Sequence, residues 1–563
     1  MGQETHATPG CAAIPAGGRI VQRPLGERAG LVYTARAPMK FSGKTVALLL
    51  LGTAYAASAF LVFRRHVEEV RADRVTIRIS QWQLEGGVRD AIDAIIRRYE
   101  QLNPRVHVIQ IAAPDRVYLP WIQTQMVGGT GPDIAEYSWP WPDTVRNFSP
   151  LTAEVMQPNP YNRGTPLEGV PWRDTFIDGM TSPDNYVQSL SQYYGVSMTT
   201  GMSRIVYNRA LLRTITGRDT PPRTYREFLA ICAEVRAYSA AHGLNLAPLA
   251  NSRTTHINLT NEIVSNLSTG LAERIDFQHR LKLEPHPLAV SYLRGEWSYD
   301  SPELVAGFAE LREFGAQCTP AFLQRERDTA LTDFVSGRAV MVVAPSWEAT
   351  SLQQLCPFAL GAFRYPSPRE DDPVYGRYAR GPFSEGQVIT GMPFYLNRWT
   401  PHRAEALDFL RFMSSQEGST IFTTVSNWLP IVAGVKPSDF AAQFQLQSEG
   451  YNWYGGFLGP NNHGDSQDLV LSILYTLWSP DGSVDAFRSA MNRGMGGRVR
   501  DGLRRDLIAG LGNIRREDSA GAALLELAPP DRRPETLRLV TLSNEINLYQ
   551  IRATLPAPAG ARP

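Results

Sequence analysis

Between residues 74 and 133 the hydrophobic period of the chain switches back and forth between two and 3.6, and that alternation constrains the fold more than any other feature. Residues 75–80 alternate apolar and polar side chains, the pattern of a half-buried strand, and lead into Gln81-Trp82-Gln83. Over 87–102, Val88, Ile92, Ile95, Ile96, Tyr99 and Leu102 fall on one helical face with charge on the other. Asn103-Pro104 ends that helix, and 106–111 reads as a second strand. Residues 118–127 read as another helix, stopped by Gly128 to Gly131, and 132–137 as a third strand. Strands alternating with helices imply a mostly parallel sheet. Ligands of such open sheets bind beyond the carboxyl ends of the strands.

The pattern resumes further along. Residues 150–190 are irregular, rich in Pro, Gly, Asn and Tyr. A new α/β segment opens at Tyr194-Gly195, with a strand over 205–208. Thr224 with Glu227 three residues on has the form of a capping box. A helix is expected over 302–316, and residues 327–335 lead through Gly337 into a strongly β-type run over 339–344. Two helices follow, over 401–414 and 416–424, and an Arg-rich helical stretch over 484–510. The Pro- and Ala-rich end, from about 552, reads as frayed.

Composition excludes several functional classes. With 43% hydrophobic and 20% charged residues in 563, the chain has an ordinary globular core, and a net charge of +1 gives no footing for nucleic acid. Four cysteines without a CxxC pair make a zinc site or a thioredoxin-type centre unexpected, while one bridge among Cys232, Cys318 and Cys356 stays open. The nine histidines form no metal-spaced pair, and no HExxH, GxSxG, Walker or dinucleotide glycine motif is present. No catalytic residue, metal or cofactor is therefore expected.

The N-terminus points to a membrane. Residues 1–44 read as a disordered arm, with Met39 as an alternative start. An uncharged apolar run follows over 46–63, flanked by Lys44 and by Arg64-Arg65. Its length is at the short end for a spanning helix. Two readings stay open. One is an uncleaved anchor; the other is a signal cleaved after Ala57-Ser58-Ala59. The apolar Phe60-Leu61-Val62-Phe63 beyond that point favours the anchor.

Five motifs in order give a family resemblance. They are Ile79-Ser80-Gln81-Trp82 with its helix and Asn103-Pro104; Gly128-Gly129-Thr130-Gly131-Pro132-Asp133; and Tyr207-Asn208 followed by Pro221 to Phe228. Then come Asp333-Phe334-Val335-Ser336-Gly337-Arg338 with Ser346-Trp347, and Arg403 to Leu410 followed by Trp428-Leu429-Pro430. Together they resemble the family 1 extracellular solute-binding proteins, the maltose-binding-protein-like components of sugar ABC importers. The chain departs from the family's Gly-x-Trp at Pro345-Ser346-Trp347, and 156–190 and the tail are longer than the family minimum.

The resemblance implies an α/β, two-lobed periplasmic-binding-protein-like fold of type II with hinge crossings, behind an N-terminal transmembrane helix or signal at 45–63. It implies a first lobe over 75–190 that returns over 384–425. A second lobe is expected over 191–383 with C-terminal helices over 426–525, and then a tail over 526–563. Strand ends deliver the candidate ligand residues Gln81, Trp82, Gln83 and Glu85, then Asp133, Glu136, Tyr137 and Trp139, then Trp347 and Glu348. Glu385 is added at a lobe crossing, and Trp428 after a late helix. Tryptophan faces cover sugar rings while carboxylates and amides meet the hydroxyls. The implied ligand is a small carbohydrate, and the implied partners are permease subunits and, through the N-terminal helix, the membrane. A monomer on the extracytoplasmic side is expected. Two alternatives remain: a membrane-tethered carbohydrate sensor, or a glycoside-acting enzyme using Glu85, Asp133 or Glu136 as its carboxylate pair.

Overall fold

The computed structural model describes residue 52 and residues 74–137, 144–187, 190–276, 283–380, 384–385, 390–447, 449, 456–460 and 464–553. The N-terminal arm, the apolar run 46–63 and Trp139 lie outside the described residues. Among the described residues no helix is long and apolar enough to cross a membrane.

The strands of the two larger sheets, in chain order, are β1 (Val75–Gln81), β2 (Val106–Ala112), β3 (Ile134–Glu136), β4 (Gly195–Thr200), β5 (Ser203–Asn208), β6 (Ala247–Ala250), β7 (Ala339–Pro345), β8 (Leu360–Phe363), β9 (Thr390–Leu396) and β10 (Leu429–Pro430). The helices used below are α1 (Val88–Leu102), α2 (Asp115–Val127), α3 (Tyr225–Ala241), α4 (Arg253–Ile275), α5 (Pro302–Gly315), α6 (Arg327–Val335), α7 (Ala349–Leu355), α8 (Arg403–Met413), α9 (Gln416–Ser426), α10 (Val484–Leu527) and α11 (Arg533–Ala553).

Two sheets organise the chain. A six-stranded sheet runs β10-β4-β9-β3-β1-β2, and a four-stranded sheet runs β8-β5-β7-β6. In the first, β1 pairs in parallel with β2 and β3, and β9 lies antiparallel to both β3 and β4. In the second, β7 is parallel to β6 and antiparallel to β5. Each sheet has its own apolar core. Ile77 and Ile79 of β1 meet Ile92 and Ile95 of α1, Phe409 of α8 and Phe422 of α9. In the other half, Phe228 of α3, Leu267 of α4 and Phe308 of α5 pack with Met341 and Val343 of β7. Every residue of β7 is buried, as expected of a strand covered on both faces.

The chain changes sheet later than the motifs imply. β4 still belongs to the first sheet, so the first crossing lies at Gly201-Met202 rather than at 191. Likewise β10 pairs with β4, so 429–430 returns to the first sheet although 426 onward is read from sequence as second-lobe. A strand at the hinge carries no composition that says which sheet it joins. The stretch 526–563 is not simply a tail, because α11 is a 21-residue helix. The first part of α10 buries Phe487, Met491, Met495, Val499 and Leu503 in the second core. Thr224 does cap α3, accepting from Glu227 N at 3.2 Å, but Glu227 reaches back to Arg223 N instead of completing the box. Cys232, Cys318 and Cys356 are free thiols.

One buried ion pair ties the crossings together. Arg204, just past the first crossing, donates from both terminal nitrogens to the two Glu385 oxygens, each at 2.8 Å. Glu385 lies on the second crossing, between β8 and β9, and both side chains are wholly buried. The third connection, after β10, joins them: Arg204 Nη2 donates to Gln445 O at 2.7 Å, and Gln447 N donates to Glu385 Oε2 at 2.8 Å. Arg364 lies 3.3 Å from the same carboxylate and 3.6 Å from Glu262, whose acid burial pushes up to about 7.

Removing one partner leaves a buried charge alone, which costs about 3–5 kcal/mol. Glu385→Ala is expected to lose stability of that order in urea denaturation. An Arg204→Met, Glu385→Leu double variant is expected to recover much of it, because neither charge then remains.

Candidate functional site

A cavity of about 590 Å³ lies between the carboxyl end of β1 and the carboxyl end of β7. Its size falls in the range of small-molecule sites, roughly 300–1,000 Å³. From the six-stranded half come Trp82, Gln83 and Glu85, directly after β1, with Thr199 and Thr200 at the end of β4. From the four-stranded half come Trp347 and Glu348, directly after β7, and Arg327 at the start of α6. Trp428, just before β10, closes the end wall and donates its indole N–H to Trp347 O at 3.1 Å.

The local sequence explains how these groups are held. Trp82 ends β1 half-buried, its ring 5.1 Å from that of Tyr118 on α2. Tyr118 in turn donates to Glu136 O at 2.9 Å. Gly87 opens α1 in the left-handed region at φ 86°, and a Cβ there would stand 2.8 Å from Val425 O at the end of α9. Only glycine fits, and that fit seats the Glu85–Gly87 turn against α9. Gly201, at the first crossing, leaves room for the Trp347 ring: a Cβ would stand 3.3 Å from it and 3.2 Å from Ser346 Oγ.

The two halves touch across the cavity. Arg327 Nε lies 3.0 Å from Glu348 Oε1, and its Nη2 lies 3.8 Å from Glu85 Oε1 of the opposite half. Burial pushes the Glu348 acid up, and Arg327 pulls it back.

The other sequence-derived candidates sit elsewhere. Glu136 is behind the wall, fully buried, accepting from Trp82 N at 3.0 Å and from Gln83 Nε2 at 2.6 Å, so it braces two lining residues. Gln81 points into the sheet and donates to Gln110 Oε1 at 3.0 Å. Asp133 accepts from Arg78 N at 2.7 Å and from the Thr400 hydroxyl, joining β1 to the loop after β9. Tyr137 packs with Phe148 and Tyr395. Glu385 is spent on Arg204. Sequence reasoning missed Arg327, because it opens a helix rather than ending a strand. Among the described residues no cluster of His, Cys, Asp and Glu could hold a metal ion.

The stretch 164–446 matches the family model described as bacterial extracellular solute-binding protein. The chain belongs to this family. Membership makes it a binding protein and not an enzyme. Solved structures agree on the fold. Apo RafE from Streptococcus pneumoniae is 15% identical with a TM-score of 0.51, covering 75% of this chain and 99% of its own. Maltose-bound MalE3 of T. maritima is 16% identical at 0.51, covering 74% and 98%. A chitin oligosaccharide binding protein is 14% identical at 0.50, covering 75% and 99%. No curated protein sequence matches the chain. The protein thus has the mixed α/β fold of periplasmic binding proteins.

The brace behind the cavity of this solute-binding protein gives a pH prediction. Burial raises Glu136 from an ordinary 4.5 to about 8, against the hydrogen bonds from Gln83 and Trp82 that favour its anion. Between those values the folded state holds a proton that the unfolded state has lost, so its stabilising contribution is full below about 4.5 and fades as pH rises toward 8. Glu136→Gln has no such proton. Melting temperatures of the variant and the natural protein, compared from pH 5 to pH 8.5, should shift progressively in favour of the variant. A difference that stays constant with pH removes the assignment.

Proposed function

We propose that this solute-binding protein captures a sugar or short oligosaccharide in the cavity between its two halves and hands it to an ABC importer. The observation that carries the reading is the convergence of Trp82, Trp347 and Trp428 with Glu85 and Glu348 on one cavity. A pyranose has an apolar C–H face and a polar rim, so indole walls and carboxylate acceptors suit it together. The maltose complex and the chitin oligosaccharide binding protein among the similar folds are consistent with that ligand class.

In this reading the six-stranded and four-stranded halves are lobes, and the crossings pinned by Arg204 and Glu385 are the hinge. Ligand contacts from both lobes favour the closed form, because only contacts that differ between the two states can shift the balance. The closed form is what permease subunits accept. The apolar run 46–63 delivers the protein across the membrane, as a retained anchor on its outer face or as a signal.

Thermal-shift measurements against carbohydrates, peptides and polyamines test the ligand class. At least one sugar should raise the melting temperature, and Trp347→Ala should weaken that sugar about tenfold or more, ~1.4 kcal/mol. Stabilisation by peptides or polyamines alone, with every sugar silent, sinks the proposal.

A further inference from the structure

The cavity is strongly unbalanced in charge. Among the described residues its lining holds four carboxylates, Glu85, Asp115, Asp328 and Glu348, against the single guanidinium of Arg327. Asp115 and Asp328 are exposed at the rim. Glu85 and Glu348 are deeper, with side chains 18% and 5% exposed, and they come from opposite halves. Arg327 serves both, close to Glu348 and more distant from Glu85. The second Glu85 oxygen is buried and has no hydrogen-bond partner among the described residues. A desolvated carboxylate oxygen without a donor costs free energy until one arrives. The remaining lining named above brings no further cation, and the nearby buried arginines, Arg204 and Arg364, are committed to Glu385 and Glu262.

A neutral sugar hydroxyl offers one donor and no charge, whereas an ammonium offers three donors and a positive charge. Placed between Glu85 and Glu348, an ammonium would share with Arg327 the task of holding two like charges together across the cleft. A uronate would add a fifth negative charge to the same space. Building on the sugar-site reading above, we propose that the ligand is a cationic sugar whose amino group is held between Glu85 of one half and Glu348 of the other. The rim carboxylates Asp115 and Asp328 favour the approach of such a ligand through the long-range field.

Titration calorimetry of the full chain with matched pairs tests this: glucosamine against glucose, galactosamine against galactose, deacetylated chitobiose against cellobiose, with glucuronate as the opposite charge. In at least one pair the amino member should bind about tenfold tighter or more at low salt. That ratio should shrink as salt is raised, as it does for partly exposed charges. Glu85→Gln should collapse the ratio toward one. Should that variant fail to fold, the salt dependence of the natural protein still decides. Equal or tighter binding of the neutral or acidic member overturns the cationic ligand while leaving a sugar site intact. Silence from every sugar together with binding of a peptide or a polyamine overturns both readings.

Discussion

The Arg204–Glu385 pair is the contact on which the rest of the geometry depends. Three segments pass between the two sheets, and each would be free to slide without a common fastening. Arg204 belongs to the first, Glu385 to the second, and the backbone of Gln445 and Gln447 to the third. The pairing is bidentate and wholly buried, so direction and spacing are both set. In water such a pair contributes little; here, removing one side leaves a buried charge without its bidentate partner.

The cavity itself is held in two layers. Lining residues follow β1 and β7, and a second set of groups fixes them from behind. Glu136 receives the backbone of Trp82 and the amide of Gln83, Tyr118 supports both Glu136 and the Trp82 ring, and Trp428 fastens the Trp347 backbone. Groups behind the wall therefore decide where the lining residues stand. The family match says that the chain is a solute-binding protein.

Much of this was legible in the sequence, for identifiable reasons. β1, α1, β2 and β7 were readable because each keeps one period and buries one face or both. The α4 helix was not, because polar residues occupy its buried side: Thr260, Ser268 and Thr269 turn their hydroxyls onto carbonyls of their own helix. That arrangement satisfies polar groups internally and erases the amphipathic signal. The reach of α10 to Leu527 was hidden by glycines such as Gly510 and Gly512, which weaken helix propensity without forbidding a helix that is packed on a neighbour. At the cavity, the strand-end rule collected Trp82, Gln83, Glu85 and Trp347, while Trp428 came from its place after a late helix. It also collected Gln81, Asp133 and Tyr137, because it fixes where a residue lies along a strand but not which way it faces. Arg327 escaped it, since its place at the cavity comes from a helix start in the opposite half.

Gly201 separates two properties that are usually entangled in a binding site. The gap beside it, too narrow for a methyl group without displacing Trp347, sets how far that indole stands back from the crossing. A single added carbon at this backbone position would need Trp347 or Ser346 to give by a few tenths of an ångström, and it would bring no charge. Glu85 and Glu348, by contrast, set the charge of the cavity, and through Arg327 they also join its two walls. Spacing at the crossing and charge in the cavity thus rest on different residues, so a change at Gly201 and a change at either carboxylate can be made as separate steps.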